Sequence, residues 1–211
     1  MDARPRPSLL LIGPTGSGKT PLGDELERRG FLGWRCVHFD FGANLRAIAA
    51  VPEKANILTA PELESIRTSL ATGALFEVKD LPMIVKIVKR FAEARDLTPD
   101  SLLVLNGLPR HTKQAEGLAG VVAVERVVYL EAGAAVIRER IRLDPGGDRA
   151  TRADDGLEAV ERRLAAFRKR TVPLVSYYRE RGALIVEIPV TPSMTAADAY
   201  QALVERVSAD P

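Results

Sequence analysis

The sequence Gly13-Pro14-Thr15-Gly16-Ser17-Gly18-Lys19-Thr20 follows a short apolar run at residues 9–12 and leads into a segment with helical periodicity. It fits the pattern G-x-x-x-x-G-K-[ST], in which a glycine-rich loop connects a buried strand to a helix. Glycine lets the backbone approach a phosphate closely, and successive N–H groups then form a nest for an anion at the positive end of the helix. The pattern therefore predicts a phosphate-binding loop.

Each residue type in this loop has a predicted task. We expect Lys19 to reach the outer phosphates of a nucleoside triphosphate and the Thr20 hydroxyl to face Mg²⁺. The alternative is a glycine-rich turn with a chance Lys-Thr pair, but the strand and helix signals on either side favour phosphate binding. The other loop positions predicted to bind the donor nucleotide are Gly13, Thr15, Gly16, Ser17 and Gly18.

Composition limits the class of protein. A chain of 211 residues with 46% apolar residues suits one domain with a sizeable core. The formal net charge of +2 does not indicate a polyanion-binding surface, so we expect no nucleic acid partner. The single Cys36 excludes an intramolecular disulfide and a cysteine-based zinc cluster. Because no apolar run is long enough to span a membrane and no signal-peptide core is visible, we expect a cytoplasmic protein without membrane contact. No sequence feature indicates an obligate partner, and we expect a monomer.

Short apolar runs alternate with helical patterns along the chain. The runs predict about five strands, at residues 8–12, 35–39, 102–105, 126–130 and 183–188. The predicted helices lie at residues 19–29, 43–50, 60–72, 81–92, 112–118, 134–143, 155–181 and 196–207, with a kink at Pro173. Strands that are apolar throughout need helices on both faces. The predicted class is therefore α/β, a three-layer αβα fold with a parallel sheet.

Ligands of such folds bind at the carboxyl ends of the strands, so the residues that follow each strand are candidates for a site. Arg46 lies shortly after the second strand, and Arg110 lies shortly after the third. A guanidinium is a rigid, permanently charged fork that suits a phosphate, and two of them beside a phosphate loop can hold a second phosphorylated ligand. The alternative for either arginine alone is a surface salt bridge.

Several segments resemble the motifs of adenylate kinases, in the same order and over nearly the whole chain. Gly107-Leu108-Pro109-Arg110 with Gln114 resembles the Gly-Phe-Pro-Arg…Gln signature of that family, and residues 42–46 resemble its Gly-Asp-x-Leu-Arg segment. Residues 70–91 are similar to the helix pair of the family's acceptor site. Residues 151–155 and the helix that follows are similar to the exit of the family's lid.

The resemblance implies a P-loop NTPase-type fold in a single domain over residues 1–211. The implied core comprises residues 7–42, 98–143 and 155–211. A small helical insert that binds the nucleoside monophosphate would occupy residues 43–97, and a short lid would occupy residues 144–154.

The activity implied by the resemblance is that of a nucleoside monophosphate kinase. Such an enzyme transfers the γ-phosphoryl of ATP to a nucleoside monophosphate, here AMP in first place, with Mg²⁺. The implied catalytic residues are Lys19, Arg110, Arg152 and Arg163. In that scheme Arg140 lies on the donor nucleotide, whereas Arg46 and Arg110 clamp the acceptor phosphate. The other implied acceptor-binding residues are Phe41, Gly73, Phe76, Gly107 and Gln114, of which the last contacts the base.

The sequence departs from the family's pattern at two positions that concern the metal. Ala43 and Asn106 stand where the family has carboxylates that help to hold the water shell of Mg²⁺. Asp40, at the end of the second strand, is a candidate replacement. The predicted metal-binding residues are therefore Thr20 and Asp40.

A further departure lies at Phe41, which replaces a small hydroxyl residue near the acceptor base. This change leaves the base preference open, although Gln114 favours adenine. We interpret His38 as a strand residue and His111 as a loop residue beside the phosphate clamp, because neither has a visible set of metal partners.

Two other functions compete with the kinase. The first is a nucleotide-binding sensor or regulatory protein with little turnover, which Ala43 and Asn106 favour. The second is a small-molecule kinase outside the nucleotide family, and the pair of Arg46 and Arg110 counts against it because this pair favours a phosphorylated acceptor.

Overall fold

The centre of the molecule is a sheet of five parallel strands in the order β2-β3-β1-β4-β5. The computed structural model describes residues 4–51, 56–145, 147 and 157–209. The sheet confirms the predicted α/β class with five parallel strands. The strands are β1 (Arg6–Ile12), β2 (Arg35–Asp40), β3 (Ser101–Asn106), β4 (Val122–Glu131) and β5 (Leu184–Pro189).

Helices cover both faces of this sheet. They are α1 (Lys19–Arg29), α2 (Phe41–Ala50), α3 (Ala60–Thr72), α4 (Leu81–Ala94), α5 (Thr112–Leu118), α6 (Ala134–Leu143), α7 (Leu157–Ala166), α8 (Pro173–Arg179) and α9 (Ala196–Ala209). On one face, Leu9 and Leu11 of β1 belong to a core shared with α1 and α9. On the other face, Leu10 and Ile12 pack in a core shared with α2, α4, α5 and α8. Successive strand residues point to opposite faces, which is why a strand between two helical layers is apolar throughout.

The carboxyl ends of three neighbouring strands meet at one place. The connection from β1 leads to β2 on one side, whereas β3 leads to β4 on the other side of β1, so the chain changes direction here. In the sheet register, Asn106 at the end of β3 is paired with Leu11 of β1 and with Asp40 of β2. The geometry of the sheet therefore brings Asp40, Asn106 and the loop after β1 together at the position where such folds bind ligands.

Two predictions differ from the structure by more than the one or two residues seen at other element ends. β4 begins at Val122 rather than at residue 126, because its first residues pair with the start of β1 despite the polar break at residues 125–126. The predicted helix over residues 155–181 is not a continuous α-helix, since a π-helical turn, Phe167–Thr171, separates α7 from α8. Pro173 has no N–H to continue the ladder. Just before it, the N–H of Val172 donates to the carbonyl of Phe167 at 3.1 Å, the wide spacing of a π-turn.

Helix α3 delivers a loop to the site. It starts with a reciprocal capping box in which the N–H of Thr59 donates to Glu62 Oε2 at 2.7 Å and the N–H of Glu62 donates to Thr59 Oγ1. It ends at Gly73, whose φ of 70° is left-handed and suits glycine. The chain then turns so that residues 73–76 line the acceptor side of the cleft described below.

Candidate active site

The glycine-rich loop runs from β1 into α1, as its sequence predicts. Gly16 and Gly18 have φ values of 83° and 95°, so both take left-handed backbone that favours glycine. A Cβ on Gly13 would lie 2.4 Å from Ser17 Oγ, which leaves no room for a side chain there. The ammonium of Lys19 donates to the carbonyls of Gly13 and Pro14 at 2.7 and 2.8 Å. This places the lysine charge over the loop that is predicted to hold the phosphates.

Asp40 forms a compact polar cluster with the first turn of α1. Its Oδ1 accepts from the N–H of Ala43 at 2.8 Å and so caps α2. Its Oδ2 accepts from Thr20 Oγ1 at 2.8 Å and from Asn106 Nδ2 at 3.0 Å. Asn106 Nδ2 also donates to Thr20 Oγ1 at 3.0 Å. The structure thus brings together Thr20 and Asp40, the two predicted metal-binding residues.

This hydroxyl and this carboxylate fit a hard cation. Thr20 and Asp40 both line a cavity of about 130 Å³ that the phosphate loop also lines. Mg²⁺ binds proteins through one or two oxygen ligands and completes its shell with water and phosphate oxygens. Among the described residues, no group of three His, Cys, Asp or Glu side chains is placed to hold an ion. A cation here would therefore share its shell with a bound nucleotide.

A larger cavity of about 280 Å³ opens on the other side of the phosphate loop. Arg46, Arg110 and Arg163 all line it. The Arg110 side chain is open to solvent, but its guanidinium is closely surrounded by protein, and this burial lowers its pKa. Nearby Arg163 lowers that pKa further, whereas Asp40 opposes the shift. A cation beside a second cation is stabilised by an anionic ligand, so the cavity suits a phosphate.

Aromatic rings line the same cavity away from the arginines. Phe41 and Phe76 are buried and meet edge to face, with ring centroids 5.7 Å apart. Gly73 and Gly107 also contribute to the lining. All seven residues predicted to bind the acceptor, including Arg46, Arg110 and Gln114, therefore line one space, and its apolar wall suits the ring of a base.

Gln114 lies in this wall with its amide already bonded. Its Oε1 accepts from the N–H of Arg110 at 2.8 Å, and its Nε2 donates to the carbonyl of Phe76 at 2.8 Å. His111, the N-cap of α5, points its Nε2 at the same carbonyl at 3.3 Å. A contact from Gln114 to a base would therefore require the exchange of one of these hydrogen bonds, so its predicted role stays a prediction.

Arg140 joins the phosphate loop to the connection between β5 and α9. The side chain is buried, and its Nε donates to the carbonyl of Gly16 at 3.0 Å. Its Nη1 donates to the carbonyls of Thr191 and Met194 at 2.7 and 2.8 Å. Arg140, which is predicted to lie on the donor nucleotide, thus also holds the phosphate loop in place through these hydrogen bonds. Arg152 and most of the predicted lid, residues 146 and 148–154, lie outside the described residues.

Sequence reasoning missed one set of residues beside the site. His38 was interpreted only as a strand residue, but its Nδ1 lies 2.8 Å from Asp24 Oδ1 and its Nε2 lies 3.4 Å from Asn106 Nδ2. One sequence feature points to this arrangement. Gly23 lies in the interior of α1, where a glycine usually destabilises the helix. A Cβ on Gly23 would lie 2.3 Å from the His38 ring.

A phosphate loop at the end of a central strand, beside an arginine-lined cavity, defines a nucleotide-binding α/β protein of the P-loop class. Comparison with known proteins narrows this class. The chain is 32% identical over 186 residues to the adenylate kinase of Stenotrophomonas maltophilia (strain K279a). The aligned region covers 83% of this chain and 87% of that protein. The chain is 31% identical over 207 residues to the adenylate kinase of Synechococcus sp. (strain WH7803), which covers 95% and 96%.

A third relative, the adenylate kinase of Treponema denticola (strain ATCC 35405), is 26% identical over 209 residues. No family model matches the chain. The extent of these similarities shows that the chain belongs to the adenylate kinase family. It is therefore a phosphotransferase, a nucleoside monophosphate kinase at the level of its family. In the part of the chain that the structure describes, no helix is long and apolar enough to cross a membrane.

Proposed function

We propose that this chain transfers the γ-phosphoryl of ATP to AMP. The observation that carries the proposal is that six residues line both cavities, the smaller one beside Thr20 and Asp40 and the larger one that extends to Phe41 and Phe76. A donor in the first cavity and an acceptor in the second would meet at their common wall. The side chains and backbone of that wall belong to Thr15, Lys19, Gly42, Arg46, Gly107 and Arg110.

The proposed chemistry rests on position and charge. Phosphoryl transfer needs its two oxygens in line and its developing negative charge neutralised, and it needs little covalent help from the protein. We assign Lys19 to the outer phosphates of ATP and Arg46 with Arg110 to the phosphate of AMP. Arg163, with Arg152 from the predicted lid exit, would neutralise the transferring phosphoryl.

Mg²⁺ is part of the proposal, with Thr20 and Asp40 as the residues that would hold it. When bound, the ion would neutralise charge on the phosphates of the donor. The support from the structure is the pair of oxygen atoms 2.8 Å apart on the wall of the phosphate-loop cavity. Oδ1 of Asp40 caps α2, whereas Oδ2 faces Thr20 and would be the oxygen directed to the ion.

We assign the remaining site residues to contacts with the donor or the acceptor nucleotide. The backbone groups of residues 13–18 would bind the phosphates of ATP, and Arg140 would face the donor while it fixes the loop. Phe41, Gly73, Phe76 and Gly107 would enclose the acceptor base. Gln114 would select adenine if one of its two present hydrogen bonds is exchanged for a bond to the base.

We also propose the division into a core, an acceptor insert at residues 43–97 and a short lid at residues 144–154. Closure of such a lid would exclude water, which otherwise competes with AMP for the phosphoryl group. We propose a monomer, because no sequence feature indicates an obligate partner. The net charge of +2 supports small nucleotides rather than nucleic acid as partners, and the cytoplasm is the proposed location.

A second candidate function has a specific observation in its favour. Asn106 turns its amino group, and not an oxygen, toward Thr20 and Asp40. Only one carboxylate therefore faces the proposed metal position from this cluster. A nucleotide sensor with little turnover would retain the binding residues and tolerate such a loss.

One assay separates the two candidates. Diphosphate formation is measured with ATP, Mg²⁺ and a panel of AMP, CMP, UMP and GMP, each also in the deoxy form. We expect turnover with AMP above the other acceptors. Tight binding of a two-headed adenosine–polyphosphate–adenosine inhibitor without turnover on any acceptor would favour the sensor.

A further inference from the structure

The orientation of the Asn106 amide follows from a count of its hydrogen-bond donors. Nδ2 carries two hydrogens and has three neighbours within 3.4 Å: Thr20 Oγ1, Asp40 Oδ2 and His38 Nε2. Thr20 Oγ1 and Asp40 Oδ2 are themselves hydrogen-bonded at 2.8 Å, which brings them close enough for one N–H of Asn106 to be directed at both oxygens. The second N–H is then directed to the histidine ring.

The His38 ring has only one arrangement that fits this count. A carboxylate can only accept a hydrogen bond, so Nδ1 carries the hydrogen that faces Asp24 Oδ1 at 2.8 Å. The other ring nitrogen, Nε2, is then the acceptor that faces the amino group of Asn106 at 3.4 Å. An acceptor at this position favours the amino group of Asn106 over its carbonyl oxygen, because the oxygen would meet the Nε2 lone pair.

The fold makes room for this ring at the expense of helix stability. His38 is buried, with 7% of its surface exposed, and it packs directly on the backbone of Gly23 in α1. Glycine in a helix interior is less stable than alanine. A Cβ at residue 23 would lie 2.3–2.5 Å from three ring atoms, so an alanine would displace the imidazole. The absence of a side chain at Gly23 therefore leaves space for the His38 ring, and Nε2 of that ring faces Asn106.

We propose that Asn106 is a positioning residue for the Thr20–Asp40 pair, and that His38, seated on Gly23 and held by Asp24, fixes the orientation of its amide. In this arrangement Asn106 donates to both oxygens of the pair and holds them at a fixed separation. It contributes no oxygen to a metal. The proposal rests on the proposed metal-binding role of Thr20 and Asp40.

The test measures the binding of Mn²⁺, as a substitute for Mg²⁺, to the enzyme–ADP complex by electron paramagnetic resonance, so that no turnover is needed. His38→Leu removes the acceptor, and Gly23→Ala displaces the ring while every polar group stays in the chain. Each is expected to weaken Mn²⁺ binding by about three- to tenfold, the factor for loss of one hydrogen bond. His38→Gln is the matched control, because its amide oxygen can accept from Asn106, and it should stay within about twofold of the wild type.

Two further measurements make the test decisive. The side-chain ¹⁵N–¹H₂ resonances of Asn106 should shift in His38→Leu and Gly23→Ala and stay near their wild-type positions in His38→Gln. Asp40→Asn tests the underlying metal site by itself. If Asp40→Asn weakens Mn²⁺ binding while His38→Leu and Gly23→Ala leave it unchanged, the positioning role is wrong and the metal site stands. If Asp40→Asn also leaves binding unchanged, the metal site is wrong and the positioning role is overturned with it.

Discussion

Replacing Asp40 by asparagine removes one charge from the cleft and changes the side chain by a single group. The two oxygens of Asp40 accept from opposite sides, one from the N–H of Ala43 and the other from Thr20 and Asn106. An asparagine has one oxygen, so its amino group must face a donor on one of these sides. The variant therefore loses either the cap of α2 or the contact with the Thr20 cluster.

The size of both effects follows from these contacts. One unmet donor or one lost cap destabilises a protein by about 1–2 kcal/mol, so we expect Asp40→Asn to fold with a lower free energy of unfolding. A hydrogen bond to a charged group contributes about 1.5–3 kcal/mol. If Asp40 contributes a similar amount to the cation, the Mg²⁺ concentration for half-maximal turnover rises by about ten- to hundredfold, at about 1.4 kcal/mol per factor of ten.

The assay is the rate of diphosphate formation over a Mg²⁺ titration at fixed total ATP. Asp198→Asn is the matched control, because Asp198 also accepts from a backbone N–H at a helix start, that of Thr195 at 2.9 Å, but lies outside the cleft. The control should retain the wild-type Mg²⁺ requirement. An unchanged Mg²⁺ requirement in Asp40→Asn, with kcat also unchanged, would refute the assignment of Asp40 to the metal.

Three other changes test separate parts of the account. Arg110→Met should raise the KM for the monophosphate by about thirtyfold, the factor for about 2 kcal/mol, while exposed Arg28→Met should leave it unchanged in the same steady-state assay. Glu77→Gln removes the ion pair with Arg170, whose hydrogen bonds lower the pKa of this half-exposed carboxyl. The pair stabilises the fold above the ordinary glutamate pKa by at most about 1 kcal/mol, and this difference in unfolding free energy between wild type and variant should vanish as acid protonates Glu77. Arg140→Ala leaves four backbone carbonyls without this donor, so the free energy of unfolding measured in urea should fall by about 3–5 kcal/mol. A fall below about 1 kcal/mol would contradict the role of Arg140 in fixing the phosphate loop.

Most of the fold could be predicted from the sequence because its signals are local. Strands buried on both faces are apolar throughout, and the glycine-rich loop marks the first strand-to-helix connection. The start of β4 could not be predicted in this way, since residues 125–126 interrupt its apolar run and only pairing with β1 extends it. The π-turn before Pro173 could not be predicted either, because a proline predicts a kink in a helix but not the hydrogen-bonding pattern of the kinked turn.

The site was predictable as a set of positions and less so as a set of contacts. The order of the strands places Asp40 next to Asn106, and this follows from an α/β pattern with sites at strand ends. The contact of His38 with the Asn106 amide joins residues that are distant in sequence, and the sequence around His38 predicts only a strand. The engagement of Gln114 with Phe76 likewise depends on how α5 meets the acceptor loop.

The central claim is that the phosphate loop and the arginine-lined cavity are the two halves of one phosphoryl-transfer cleft. Its most direct test is the conversion of ATP and AMP to ADP by the purified chain with Mg²⁺, compared with Lys19→Ala under the same conditions. We predict ADP formation by the wild type and a loss of at least about a hundredfold in the variant, with a folded structure by circular dichroism. Full activity of Lys19→Ala, or no ADP formation by a wild type that binds both nucleotides, would contradict the claim.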